Sequence, residues 1–164
     1  MRISLGVAAT VLAAVFSGVA SAAPPDITSG TGHSEFNRDF PEFFFTHDIH
    51  VTAQSEDGSN PKGHFYFRQD VFSSPFSTNI DIRGDVICHR VAGKTAVVGV
   101  AFEPLLLGGS FEVREALIFV EDDDPLDDPD DVRFEFLIAP LETCPAPSPI
   151  EADIASGKYV VHDN

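Results

Sequence analysis

The sequence predicts an all-β protein, either an antiparallel sandwich or a small barrel of about seven to eight strands. Apolar and polar residues alternate in several segments, and Gly, Pro, Asp and Asn clusters separate those segments. Strands do not alternate with helical patterns, which argues against a parallel α/β sheet. The chain has 164 residues, a length typical of one domain.

The first predicted hairpin lies near residue 50. Ile49, Val51 and Ala53 alternate with polar residues, and the turn residues from 56 to 61 follow. The segment from 62 to 68 resumes the alternation, with Phe65 and Phe67 on one face. These features predict two antiparallel strands joined by a tight turn.

A longer hairpin is predicted from residue 79 to residue 103. Its first strand has four apolar residues in phase, and Gly84 interrupts it as a bulge or bend would; the four are Ile80, Ile82, Val86 and Cys88. The turn at 92–94 leads into a Val- and Ala-rich strand.

Three further strands are predicted, at 112–121, 132–139 and 159–161. The segment 149–156 is the one candidate for a short helix. Residues 23–44 are predicted to be an extended lead-in, loosest over the Gly- and Ser-rich first ten residues, and 45–164 the single β domain.

Residues 1–22 have the pattern of a cleaved signal peptide. Arg2 precedes an apolar stretch, and Ala20-Ser21-Ala22 is a small-x-small site, so cleavage is expected after Ala22. An uncleaved membrane anchor is the alternative, at the short limit for a spanning segment. We therefore expect a secreted, periplasmic or extracellular protein.

Charge excludes several partner classes. The chain has 26 acidic and 10 basic residues and a net charge of −16. Nucleic acids and anionic membrane surfaces would repel such a protein.

The two cysteines, Cys88 and Cys144, are predicted to form a disulfide, because an even pair in an exported chain is most simply oxidised. A reactive or metal-binding thiol is the alternative, but no CxxC spacing is present.

The run from Gly84 to Gly99, with Cys88 and Gly93 inside it, resembles the central hairpin of a family of small secreted bacterial all-β proteins. The preceding Gly63-His64-Phe65-Tyr66-Phe67 and the closing Gly157-Lys158-Tyr159 fit the same pattern. The resemblance covers most of the chain from Phe45 to Val161. It implies an exported all-β protein and no particular activity.

Eight of the eleven residues from Glu121 to Asp131 are acidic. Crowded carboxylates repel one another unless a hard cation collects them, and Ca²⁺ accepts six to eight oxygen ligands. A tentative calcium site would use Asp122, Asp124, Asp127 and Asp130. The alternative is a solvated acidic loop, since the segment lacks the EF-hand pattern. No other cofactor is indicated.

Catalytic patterns are missing from the sequence. The six histidines have no HExxH or His-x-His spacing, and His47 and His50 should point to opposite faces of a strand. No G-x-S-x-G elbow occurs. We name no catalytic residue, and the protein is not expected to be an enzyme.

Phenylalanine is abundant, with 15 copies, whereas tryptophan is absent. The consecutive Phe43, Phe44 and Phe45 cannot all face one core, so they are either a possible contact for a protein partner or a cover for a second layer. The sequence favours a non-catalytic binding or surface module. The alternatives are a small secreted hydrolase and a barrel that carries an apolar ligand.

Overall fold

A computed structural model describes residues 24–37, 43–73, 76–107, 111–122, 130–150 and 156–164. These residues form eight strands and no helix. The strands are β1 (Asp26–Asn37), β2 (Phe43–Glu56), β3 (Ser59–Ser73), β4 (Phe76–Ala92), β5 (Thr95–Leu107), β6 (Phe111–Glu121), β7 (Asp131–Leu137) and β8 (Ser156–His162).

All eight strands belong to one antiparallel sheet in the order β7-β6-β5-β4-β3-β2-β1-β8. The sheet curls into a half-barrel, so the all-β prediction is confirmed and the structure is of the barrel type rather than a sandwich of two sheets. Strands β1 to β7 follow one another as a meander. Only β8 crosses over, to pair with β1 from His162 opposite Ile27 to Ser156 opposite His33.

The predicted hairpins are confirmed. Asp57 and Gly58 form a two-residue turn with φ values of 49° and 75°, the left-handed conformation that a tight hairpin requires. Phe65 and Phe67 both face the interior, as their alternation predicts. The candidate helix at 149–156 lies mostly outside the described residues.

Cys88 is out of phase with the apolar residues that precede it. A bulge between Val86 and Cys88 adds one residue to β4, so Val86 faces the interior and Cys88 pairs with Gly99 on the outer face. The sequence predicted a bulge or bend at Gly84, where the register is continuous; the bulged residue is Ile87, three positions later.

Residues 26–37 correct the prediction of an extended lead-in over 23–44. This segment is strand β1, held between β2 and β8. The small residues of β1 leave space for the ring of Tyr159, which is buried in the interior. A Cβ atom at Gly30 or Gly32 would collide with that ring. Low side-chain volume therefore marks a packing site here, not a loose segment.

Sixteen buried residues line the concave side of the sheet as its main core, among them Ile49, Phe67, Ile118 and Tyr159. A smaller cluster on the convex side contains Val97, Leu117, Phe119 and Ile150. An apolar face of a sheet must be shielded from water, and the chain segment that follows β7 shields the convex cluster.

The covering segment is residues 138–150, and it is fastened along its length. Near its ends Glu115 accepts a hydrogen bond from the amide of Leu141 at 2.6 Å, and Glu121 accepts one from Ile150 at 2.9 Å. Between them, Cys144 forms the predicted disulfide with Cys88, with the Cα atoms 5.5 Å apart. The bond joins residues 56 positions apart, a loop length for which chain entropy gives roughly 4 kcal/mol.

The outer edge of β8 meets the end of β6 and the start of β7 through side chains of the two residues beside them, Asp122 and Asp130, rather than through a backbone ladder. Asp130 accepts a hydrogen bond from the amide of Tyr159, and Asp122 accepts one from Val161 at 3.0 Å. We call these two contacts the carboxylate seam. They satisfy edge-strand amides that would otherwise lie unpaired at the boundary of the core.

Replacing Asp130 with alanine is expected to lower the free energy of unfolding by about 2 kcal/mol, because a buried amide loses a charged acceptor. Asp130→Asn should lose less, since its amide oxygen still accepts. Asp85→Ala, at an exposed carboxylate, is the control and should change little. Urea denaturation measures all three; an Asp130→Ala protein as stable as the parent would contradict the structural role of the seam.

Candidate functional site

The concave side of the half-barrel opens into a cleft beside β7. Strand β8 begins at Ser156, opposite His33, so among the described residues the end of β1 beyond that point has no β8 neighbour. Strand β7 ends the sheet on the other side. The barrel-mouth cleft between them has a volume of about 390 Å³, and its lining residues are Ser34, Phe45, His47, Ile49, Phe67, Gln69, Val132, Arg133, Phe134 and Phe136.

One wall of the cleft is a group of phenylalanine rings. Phe67 and Phe134 stack with ring centroids 4.5 Å apart and an angle of 6° between the planes. Phe136 stands edge-on to Phe134 at 4.8 Å and to Phe67 at 6.1 Å. Such pairs contribute about 0.5–1.5 kcal/mol each beyond burial. Because three strands separate β3 from the edge strand β7 in the sheet order, these rings connect that edge with the middle of the sheet across the interior.

A polar row crosses the same cleft. Ser34 of β1 lies opposite His47 of β2, and His47 lies opposite Gln69 of β3. The next inward row holds Ile49 and Phe67, also opposite one another. The period of two in each strand therefore gives this row the same inward direction as the core.

His47 and Gln69 form a hydrogen bond with a distance of 2.7 Å between His47 Nε2 and the Gln69 amide nitrogen. An amide nitrogen can only donate, so in this orientation of Gln69 the hydrogen bond requires that His47 Nε2 accept and carry no proton. The ring also lies 5.5 Å from that of Phe67. Burial lowers the pKa of His47, while Asp48 raises it and His33 lowers it further.

Arg133 lies at the margin of the cleft, but its charge belongs to the convex side. Its guanidinium carbon is 4.3 Å from the centroid of the Phe119 ring, which is part of the outer cluster. Its Nε atom is 2.9 Å from Glu135 Oε1, an ion pair without hydrogen-bond alignment. The cleft is therefore apolar with a neutral polar end.

A second histidine, His89, is completely buried at the opposite end of the interior. Its Nε2 atom is 2.8 Å from Thr28 Oγ1, and its Nδ1 atom is 2.9 Å from Ser55 Oγ. Ser55 beside His89 has the spacing of a nucleophile and its base. All three side chains are buried, however, so no substrate can reach Ser55, and the group is a structural polar network.

Sequence reasoning missed both inward histidines. His47 had a signal, because it is in phase with the apolar Ile49 and Val51, and so did its partner Gln69, which is in phase with Phe65 and Phe67. His89 had none, because the bulge between Val86 and Cys88 takes it out of phase with Val86. The prediction that His47 and His50 point to opposite faces is confirmed, since His50 is exposed beside Tyr66 on the convex side.

The four proposed calcium ligands have different fates. Asp122 and Asp130 accept the amides of β8 in the carboxylate seam, whereas Asp124 and Asp127 lie outside the described residues. Within the described ranges no three His, Cys, Asp or Glu side chains are arranged to hold a metal ion. Calcium binding by this segment stays a prediction.

The phenylalanine run is divided by the structure. Phe45 is half-buried and lines the barrel-mouth cleft. Phe43 and Phe44 belong to β2 by their backbone, and their side chains lie outside the described part of the structure. The partner role predicted for the three therefore stays a prediction.

No protein-family model, curated protein or solved structure matches the chain. In the part of the chain that the structure describes, no helix has the length and apolar character to cross a membrane.

Acid should destabilise the protein through its buried histidines. Burial lowers the pKa of His89, with Asp26 opposing the shift. Below pH 6.5 a histidine is therefore protonated in the unfolded chain but not in the native state. The free energy of unfolding then decreases as the pH falls, by at most about 1.4 kcal/mol per pH unit for each histidine. Denaturation between pH 7.5 and 5 measures the slope, which His89→Gln should flatten and His50→Gln should leave unchanged. An unaltered slope in His89→Gln would rule out this role.

The calcium hypothesis predicts that about 1 mM Ca²⁺ raises the melting temperature more than Mg²⁺ does at matched ionic strength. Variants of Asp122 or Asp130 are uninformative because both residues hold β8. The useful variant is Asp124→Ala with Asp127→Ala, which should abolish the rise. A melt that responds equally to both cations would leave the segment as a solvated acidic loop.

Proposed function

We propose that the protein is an exported, non-catalytic binding protein and that its barrel-mouth cleft takes a small apolar molecule. The observation that carries this proposal is the cleft itself, with a volume of about 390 Å³ and a lining of phenylalanine, isoleucine and valine around a few polar groups. Ligand sites in proteins are typically cavities of about 300–1,000 Å³ with this mixture of side chains.

The cleft is suited to binding because its walls are already formed. Phe134 and Phe136 are held by each other and by Phe67. A ligand that buries about 200 Å² of apolar surface there would gain about 5 kcal/mol before its own losses of freedom. Without those losses, a gain of this size corresponds to a dissociation constant of about 0.2 mM, and more buried surface or a hydrogen bond is needed for tighter binding.

Export supports the same function. The pattern of residues 1–22 is that of a signal peptide cleaved after Ala22, although these residues lie outside the described part of the structure. The disulfide between Cys88 and Cys144 is compatible with an oxidising compartment. The resemblance to small secreted bacterial β proteins agrees with export and adds no activity.

The test is a fluorescence titration of the oxidised protein with N-phenyl-1-naphthylamine, a neutral probe that brightens in apolar sites. We expect saturable binding at one site, together with a rise in melting temperature at saturating probe. Ser34→Phe places a ring in the cleft and should weaken binding at least about tenfold, because the added volume competes with the probe.

Thr31→Phe is the matched control, since it places the same ring at an exposed position of the same strand. Thr31→Phe should bind the probe with an affinity within about twofold of the parent. The parent and both variants are prepared with the same N-terminus, so residues 1–22 cannot cause a difference between them. Melting curves check that both variants fold. Probe fluorescence that does not saturate, or equal binding by folded Ser34→Phe, would refute the assignment of the cleft.

A further inference from the structure

The polar row of the cleft indicates which ligands it accepts. His47 and Gln69 face the cleft from neighbouring strands and are bonded to each other at 2.7 Å. The Gln69 amide donates to His47 through its nitrogen, and its oxygen also faces the cleft edge. A purely apolar ligand that covers this oxygen costs free energy, because water can no longer solvate it. A ligand that has its own hydrogen-bonding group removes that cost.

The charges around the cleft restrict the class of ligand further. The pair is neutral, because His47 accepts from an amide nitrogen through an unprotonated Nε2. Arg133 is the arginine among the residues that line the cleft, and its guanidinium lies over Phe119 on the convex side. The chain carries a net charge of −16, which repels anions over the whole surface. A carboxylate or sulfonate in the cleft would be desolvated without a cation to balance it.

We infer that the cleft selects uncharged aromatic ligands that carry one hydrogen-bonding group, which the Gln69–His47 pair binds while the rings of Phe67 and Phe134 hold the apolar part. This inference rests on the proposed function and adds the ligand class to it. Gln69 and His47 are the residues that determine specificity.

Acid weakens this recognition. A protonated His47 would direct a donor at the Gln69 amide nitrogen, which is also a donor. Gln69 would then turn its oxygen toward the imidazolium, and that oxygen could no longer accept a hydrogen bond from the ligand. Two charged or titratable groups act on the pKa of His47, namely Asp48 on its own strand and His33 on β1, which are bonded to each other at 2.6 Å on the exposed side. Burial lowers the pKa of His47, so the loss of affinity occurs below pH 6.5.

The experiment compares three probes of nearly equal shape by displacement of N-phenyl-1-naphthylamine from the oxidised protein: 2-naphthol, 2-methylnaphthalene and 2-naphthoate. At pH 7.5 we expect 2-naphthol to bind at least about fivefold more tightly than 2-methylnaphthalene, an order that hydrophobicity alone would reverse. The anion 2-naphthoate should bind at least about tenfold more weakly than 2-naphthol.

Gln69→Leu should reverse the order of the two neutral probes, because the leucine is similar in size and cannot hydrogen-bond. Gln54→Leu, at an exposed position of β2, should keep the parental order. Between pH 7.5 and 4.5 the affinity of the parent for 2-naphthol should fall at least about threefold. His47→Gln should remove that fall, and His50→Gln should keep it.

The outcomes separate this inference from the proposed function. If no probe binds, the cleft is not a ligand site and both fail. If 2-methylnaphthalene binds as tightly as 2-naphthol in the parent, or Gln69→Leu keeps the parental order, the cleft stands and the polar recognition is wrong. Loss of the 2-naphthol preference in Gln69→Leu alone, with the pH dependence traced to His47, would establish it.

Discussion

The need of β8 for hydrogen-bond partners organises this fold. The backbone amides on the outer edge of β8 border the core and need hydrogen-bond acceptors. Two aspartates supply them, in the place that a neighbouring strand would take in a longer sheet. The seam fixes β8 against the start of β7, and Tyr159 then fills the interior over Gly30 and Gly32. Burial raises the pKa of Tyr159, with Asp130 adding to the shift, as expected for a phenol that belongs to the core.

The same arrangement leaves the cleft open. The carboxylate seam joins β8 to the sheet near the start of β7. The rest of β7 extends beyond Ser156, the first residue of β8. The sheet is therefore closed at one end and open at the other. The apolar rows that fill the closed end continue into the open one, where Phe134 and Phe136 have neighbours on one side and the cleft on the other.

The acidity of the chain has a structural use besides solubility. Carboxylates accept backbone amides at the seam, at both ends of the covering segment, and near the chain ends, where Asp26 accepts from Asn164 and Asp163 from Gly93. Each contact joins residues far apart in sequence. The acidic residues, which composition alone would assign to the surface, thus tie down a strand edge, the covering segment and the chain terminus by charge-assisted hydrogen bonds.

The sequence by itself determined the class of fold, the hairpins and the disulfide, because period-two alternation, an Asp-Gly turn and a cysteine pair are local or compositional signals. It misplaced the β4 bulge and mistook β1 for a lead-in, since small residues look unstructured until the ring that packs on them is known. Only the tertiary structure decided that β8 joins β1, that Asp122 and Asp130 accept its amides, and that Ser34, His47 and Gln69 form one row. Those facts depend on register and curvature over the whole sheet, which no single segment encodes.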